Sequence, residues 1–255
     1  MTRQTILELK AKGRNREIVN GVRVEELDPR NEQDEEVLLE VAWAYHQLGE
    51  YGQSIPIMEV LRGRHAPNTE VGESARRGLA HGLLQRDGDI MAADTVFHEI
   101  PPGSGRDNGR MNMMIVAARQ GTLIPPGEVM ATICGALEKA PYGAVIGHIV
   151  NNGVMALYEA RKQESARIYS AVLPGLMHIA LGIYHDTKTA RNHVAGAEYR
   201  AALICADLGG VWLNYAANHA VKSCLFWKEL VASQGGERYK KNLASAMELQ
   251  DRLLR

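Results

Sequence analysis

Nine histidines are the first residues in this chain that could do chemistry, and three of them, His178, His185 and His193, fall seven and eight residues apart. A spacing of seven puts His178 and His185 on one helical face, where imidazoles could bind a metal or move protons. Helical metal sites instead take ligands three or four residues apart with a carboxylate at hand. The chain contains neither a His-Glu-x-x-His nor a Glu-x-x-His sequence. His185 and the adjacent Asp186 therefore read as a local surface or capping pair. Cys134, Cys205 and Cys224 stand far apart in apolar segments and read as small buried side chains rather than as a disulfide, a metal site or a nucleophile. No G-x-S-x-G elbow is present to expose a serine.

Two further stretches carry chemically suggestive residues. Residues 100–110, IPPGSGRDNGR, set glycines beside Arg106 and Arg110 ahead of a helix, superficially an anion-cradling loop. The lysine and the preceding strand of a phosphate loop are missing, so the stretch reads as a flexible connection between helical units. Trp212, Tyr215, Asn218, His219, Lys222, Phe226 and Trp227 recur at helical spacing and read as a buried helix face. Their functional alternative is a set of aromatic anchors for a bound segment or a second subunit. No catalytic residue, no metal site and no cofactor is expected.

Whatever positions these residues must be helical. Only 5% of the 255 residues are aromatic, and Ala, Leu, Met, Glu and Arg recur in segments of helical length without strict alternation. The apolar share of 45% with 23% charge is that of a globular protein, and 29 basic against 30 acidic residues leaves no excess to neutralise a nucleic acid. No apolar run reaches the roughly 18 residues of a membrane span. The opening MTRQTILELKAKGRNRE has no apolar stretch resembling a secretory signal. A cytoplasmic protein with no nucleic acid and no membrane among its partners is expected.

Glycine and proline punctuate the helices with a period. Pro29, Pro67, Pro101 and Pro141 recur at 38, 34 and 40 residues, and Gly13, Gly49, Gly88 and Gly121 at 36, 39 and 33. That is the range of helix–turn–helix repeats, in which Gly closes the first helix of a pair in a left-handed conformation and Pro ends the second. In residues 34–68, Ala44, Tyr45, Leu48, Gly49, Glu50, Tyr51 and Ser54 form the clearest unit. Val41, Ala42, Tyr45, Leu48, Ile55, Met58 and Leu61 supply its apolar stripe, with Ser54 small because the two helices should approach there. One unit earlier the chain ends on Glu26, Leu27, Asp28, Pro29 and Asn31; one unit later the turn returns at Gly88 and Asp89, with Ala93 small and Phe97 large.

These residues resemble the tetratricopeptide repeat, clearest over residues 12–101. The resemblance implies an all-α fold, an α–α superhelix of antiparallel helix pairs, with a concave face lined by the first helix of each pair. Outward candidates there are Glu36, Leu39, Glu40, Trp43, His46 and Gln47, then Gly78, His81, Gly82, Gln85 and Arg86. Family members that clamp acidic chaperone tails carry Lys and Asn where this chain has Leu39 and Trp43, which favours a mixed apolar and polar groove. Beyond Gly109 the pattern fades. Helical segments are expected at 110–120, 127–140, 143–173, 175–208, 211–233 and 236–254, and LYEARKQESARIYSAVLPG, with Tyr158, Ala160 and Ala166, has the shape of a turn and second helix.

The expected organisation is repeats over 1–121 and further helical pairs over 122–255 with a final capping helix. The expected function is a protein-interaction scaffold or adaptor, not an enzyme, binding a protein or peptide through Glu36, Leu39, Glu40, Trp43, His46, Gln47, His81, Gln85 and Arg86. A helical ligand-binding protein or enzyme with a pocket around His178, His185, His193 and Trp212 is the alternative, and a homo-oligomer paired through its C-terminal helices is a third.

Overall fold

A computed structural model describes residues 1–139, 143–163, 167–234 and 237–255, and among them the chain is all-α, with no strand. The described residues divide into two compact units, Met1–Val116 and Ala117–Arg255.

The first unit contains α1 (Arg3–Ala11), α2 (Asn15–Gly21), α3 (Glu32–Leu48), α4 (Tyr51–Arg64), α5 (Glu70–Asp87), α6 (Ile90–Glu99) and most of α7 (Ser104–Arg119). From α1 to α6 each helix packs on the next, and α3 also lies against both α1 and α5. Side-chain caps open the first helix of the second and third pairs: Asn31 accepts from the Gln33 and Asp34 amides, and Thr69 from that of Gly72. The turns between pair members are alike. Gly49 (φ 81°, ψ 12°) and Gly88 (φ 65°, ψ 18°) both end their helices left-handed, as do Gly13 and Gly121 in φ. At Gly49 the Glu50 amide reaches back to Tyr45 O and the Gly49 amide to His46 O, so these two carbonyls at the end of α3 are satisfied. A two-residue reversal between packed helices leaves them antiparallel.

Burial follows the expected stripe. Val41, Ala42, Ile55, Met58 and Leu61 are buried, with Tyr45 and Leu48 half-buried against them. Leu79, Leu84, Val96, Phe97 and Ile100 of the third pair extend the same core. The small residues Ser54 and Ala93 are wholly buried. Charges also bind pair to pair. Arg76, only 8% exposed, donates to the carbonyls of His65 (3.0 Å), Gly72 (3.0 Å) and Arg62 (3.3 Å) and to the Glu99 carboxylate (2.9 Å), which Arg62 shares. Hydrogen bonding to Arg62 and then Arg76 outweighs burial and holds Glu99 below the usual carboxylate range.

Several segments depart from the sequence reading. Residues 104–110, expected as a flexible connection, begin α7, and the glycine at 109 lets that helix close on Phe97; a Cβ there would stand 2.3 Å from the ring. Cys134 is exposed, whereas Cys205 and Cys224 are buried as expected. The expected segment 143–173 ends as a helix at Ala160, and 175–208 is two helices separated near Lys188, the one non-glycine residue of positive φ among those described. Pro141 and Ala166 lie outside the described residues.

The second unit holds the end of α7, then α8 (Pro126–Lys139), α9 (Ala144–Ala160), α10 (Leu173–Asp186), α11 (Arg191–Leu208), α12 (Trp212–Gln234) and α13 (Glu237–Leu254). From α8 onward each helix packs on its successor, most extensively α11 on α12. That interface is built on small residues: Ala195, Ala202, Ala220, Ser223 and Cys224 are buried and let the two backbones approach closely. No helix of the described residues is long and apolar enough to cross a membrane.

Two substitutions test this packing. The buried Ser54 hydroxyl has no hydrogen-bond partner among the described atoms, so Ser54→Ala should leave stability unchanged or raise it by about 1 kcal/mol, while Ser54→Leu costs about 1–3 kcal/mol by overpacking. Arg76→Ala should cost about 2–4 kcal/mol in urea denaturation, since it orphans carbonyls and half-strips Glu99; a loss below about 1 kcal/mol contradicts the clamp.

Candidate functional site

In the first unit the leading helices of the second and third pairs, α3 and α5, meet through polar and aromatic side chains rather than through aliphatic ones alone. Trp43 donates its indole N–H to Ser74 Oγ (2.9 Å), and the Arg77 guanidinium lies 5.9 Å from the Trp43 ring centre. Three residues on, His46 Nε2 and His81 Nδ1 share a hydrogen bond of 2.8 Å, which requires one ring to donate and the other to accept. Trp43 and Tyr51 each meet the His46 ring in an edge arrangement, at 5.1 and 5.0 Å between centres. Arg77 is 42% exposed and pairs with Glu73 only at 3.8 Å, which leaves its guanidinium available at the rim.

The expected site residues thus separate into three groups. Trp43, His46 and His81 come together, with Leu39 half-buried beside them on the same helix. Glu36 and Glu40 face the first pair instead, ion-paired with Arg3 and Lys10 of α1. Gln47, Gln85 and Arg86 are exposed at the far end, and Arg86 is engaged by Asp87. His46 is 4% exposed, so its placement facing outward is corrected: its ring is a buried link between helices. Gly78 and Gly82 are corrected likewise. They lie buried against Met58 and Ile55 of α4, where a Cβ would stand 2.5 and 3.0 Å from those side chains. Ser74 and Arg77 were missed by sequence reasoning, although 74, 77 and 81 share one helical face and the expected His81 pointed along it.

In the second unit the histidines do not gather as a set. His178 and His185 are exposed, while His193 meets His148, their ring centres 4.6 Å apart, and His148 Nδ1 contacts the Tyr184 hydroxyl at 2.8 Å. Burial, and then the Arg200 charge, pushes His148 below the usual imidazole range, and burial pushes the Tyr184 phenol up. Asn151 is buried nearby with its side-chain oxygen unpartnered. No group of three or more metal-ligating side chains occurs among the described residues. The aromatic stretch of α12 divides: Trp227 is buried beside Tyr239 and Phe226 lies under Arg191, whereas Tyr215 is exposed beside Trp212. His219 is held at 2.6 Å by the buried Glu198.

No family model matches this chain, and no curated protein matches it.

His148 generates a prediction about pH. Its folded value lies below the ordinary 6.5, so the unfolded chain binds a proton that the folded chain refuses as the pH falls. The stability it contributes is complete above about pH 6.5 and is lost on acidification toward its folded value. Urea denaturation between pH 7 and pH 5 should show a shallower loss for His148→Gln than for the parent; equal slopes contradict the assignment.

Proposed function

We propose that the chain is a tetratricopeptide-like adaptor that binds a protein segment on the face shared by α3 and α5. The observation that carries this reading is the joint presentation of Trp43 and Arg77 by the leading helices of consecutive pairs, buttressed from beneath by Ser74 and the His46–His81 bond. A half-buried tryptophan beside a loosely paired arginine supplies an apolar platform and a bidentate donor, the two side chains that most often dominate binding energy at interfaces. Trp43 is pinned by its hydrogen bond to Ser74, so little of its side-chain entropy remains to be lost on binding. Leu39 widens the platform, and Gln85 offers an exposed amide beyond it to pair with a backbone.

The test is selection from a displayed peptide library on the full chain, followed by affinity measurement of the enriched sequences. Arg77→Glu should weaken them at least about tenfold, the loss of one charge-assisted contact, with the thermal melt unchanged. Tyr215→Ala, a control in the second unit, should leave affinity intact. Enriched peptides indifferent to Arg77→Glu, or a selection that enriches none, would overturn the reading.

A further inference from the structure

A cleft of about 520 Å³ opens in the second unit between the ends of α7 and α9, lined by Arg119, Gly121, Tyr158, Glu159, Arg161 and Lys162. A smaller hollow of about 110 Å³ shares Tyr158 and Arg161 and continues toward Ser170 and Asp207. The larger is an open cleft rather than an enclosed cavity.

Its walls are fixed by side chains. Gln163, just past α9, donates through Nε2 to Thr122 O (2.9 Å) and accepts through Oε1 from the Ile124 amide (3.1 Å), so one amide straps the chain after α7 to the end of α9. Tyr158 is 8% exposed and donates its hydroxyl to Asp207 (2.7 Å). Arg161 stacks 4.0 Å from the centre of the Tyr158 ring and also binds Asp207. A cation on an aromatic face with a carboxylate behind it is held in one orientation.

The lining carries more positive than negative charge. Arg161 answers Asp207 and Arg119 answers Glu159 at 2.8 Å, while Lys162 has no ion-pair partner among the described residues. The Arg119 side chain is 58% exposed, and such a pair is worth only about 0–1 kcal/mol, so an entering anion can recruit it. Basic residues at helix ends also complement the helix dipole. That accounts for Arg161, whose guanidinium donates to Tyr158 O, whereas the Ala117 and Ala118 carbonyls at the end of α7 are taken by the Thr122 and Gly121 amides and not by Arg119.

We propose that this cleft binds a small polyanion, with Arg119, Arg161 and Lys162 contacting its oxygens and Tyr158 forming the floor. Phosphate esters and polycarboxylates share the required chemistry of several anionic oxygens within a few ångströms. The site is independent of the α3–α5 face, and either can fail alone.

Isothermal titration of the full chain with pyrophosphate and, separately, with citrate tests it at low salt. Saturable binding of one ion per chain is expected, and the tighter arm identifies the phosphate or the carboxylate source. Lys162→Ala and Arg119→Ala should each weaken that arm about tenfold while the thermal melt stays unchanged. No saturable binding in either arm, or binding that survives the double substitution, overturns the proposal.

Discussion

The second and third helix pairs turn back on themselves within two residues through a left-handed glycine, and their packing depends on that reversal. Gly49 and Gly88 take it with nearly the same angles, which brings Ser54 and Ala93 into the closed space between each pair. With a β-carbon at 49 the left-handed turn costs about 1 kcal/mol or more, and the register that packs Ile55 and Met58 onto the core would loosen. The paired helices then expose an apolar side that only the next pair can cover, so the core runs on from Leu38 to Ile100.

Polar contacts set how one pair sits on the next. Arg16 reaches Glu50 across 34 residues, Trp43 reaches Ser74 across 31, His46 reaches His81 across 35 and Arg62 reaches Glu99 across 37. Each offset is about one repeat, so the same register is stated at four places by groups with directional demands. Apolar side chains tolerate sliding of a helix against its neighbour far better than a buried guanidinium that must meet three carbonyls and a carboxylate. Arg76 therefore fixes position where Leu79 and Phe97 supply most of the driving force.

Glycine spacing made the first unit legible, because a left-handed helix end and a close approach both demand particular residues at particular intervals. Gly13, Gly49 and Gly88 could be read for that reason, and so could the buried face of Val41, Ala42, Ile55, Met58 and Leu61. Gly78 and Gly82 misled, since a glycine on a helix can mark a close neighbour as well as an open surface; only packing against Met58 and Ile55 distinguishes the two. His46 misled for a related reason. A histidine on an outward stripe needs a partner from another helix to become interior, and its partner is His81, one repeat away.

In the second unit the interval itself changes. His148 and Tyr184 are 36 residues apart and Arg119 and Glu159 are 40, but Asn152 and Arg200 are 48 and Tyr158 and Asp207 are 49. The two longer intervals run from α9 to α11 and so enclose the whole of α10, with the short 3₁₀ turn at Ser170–Val172 before it, where the first unit has two-residue glycine reversals. A longer connection frees the helices from a constant repeat and removes the glycine signal from the sequence. It also leaves room at the helix ends: the cleft beside Tyr158 and Arg161 opens where that connection departs, whereas the tight turns at Gly49 and Gly88 pass directly from one helix to the next.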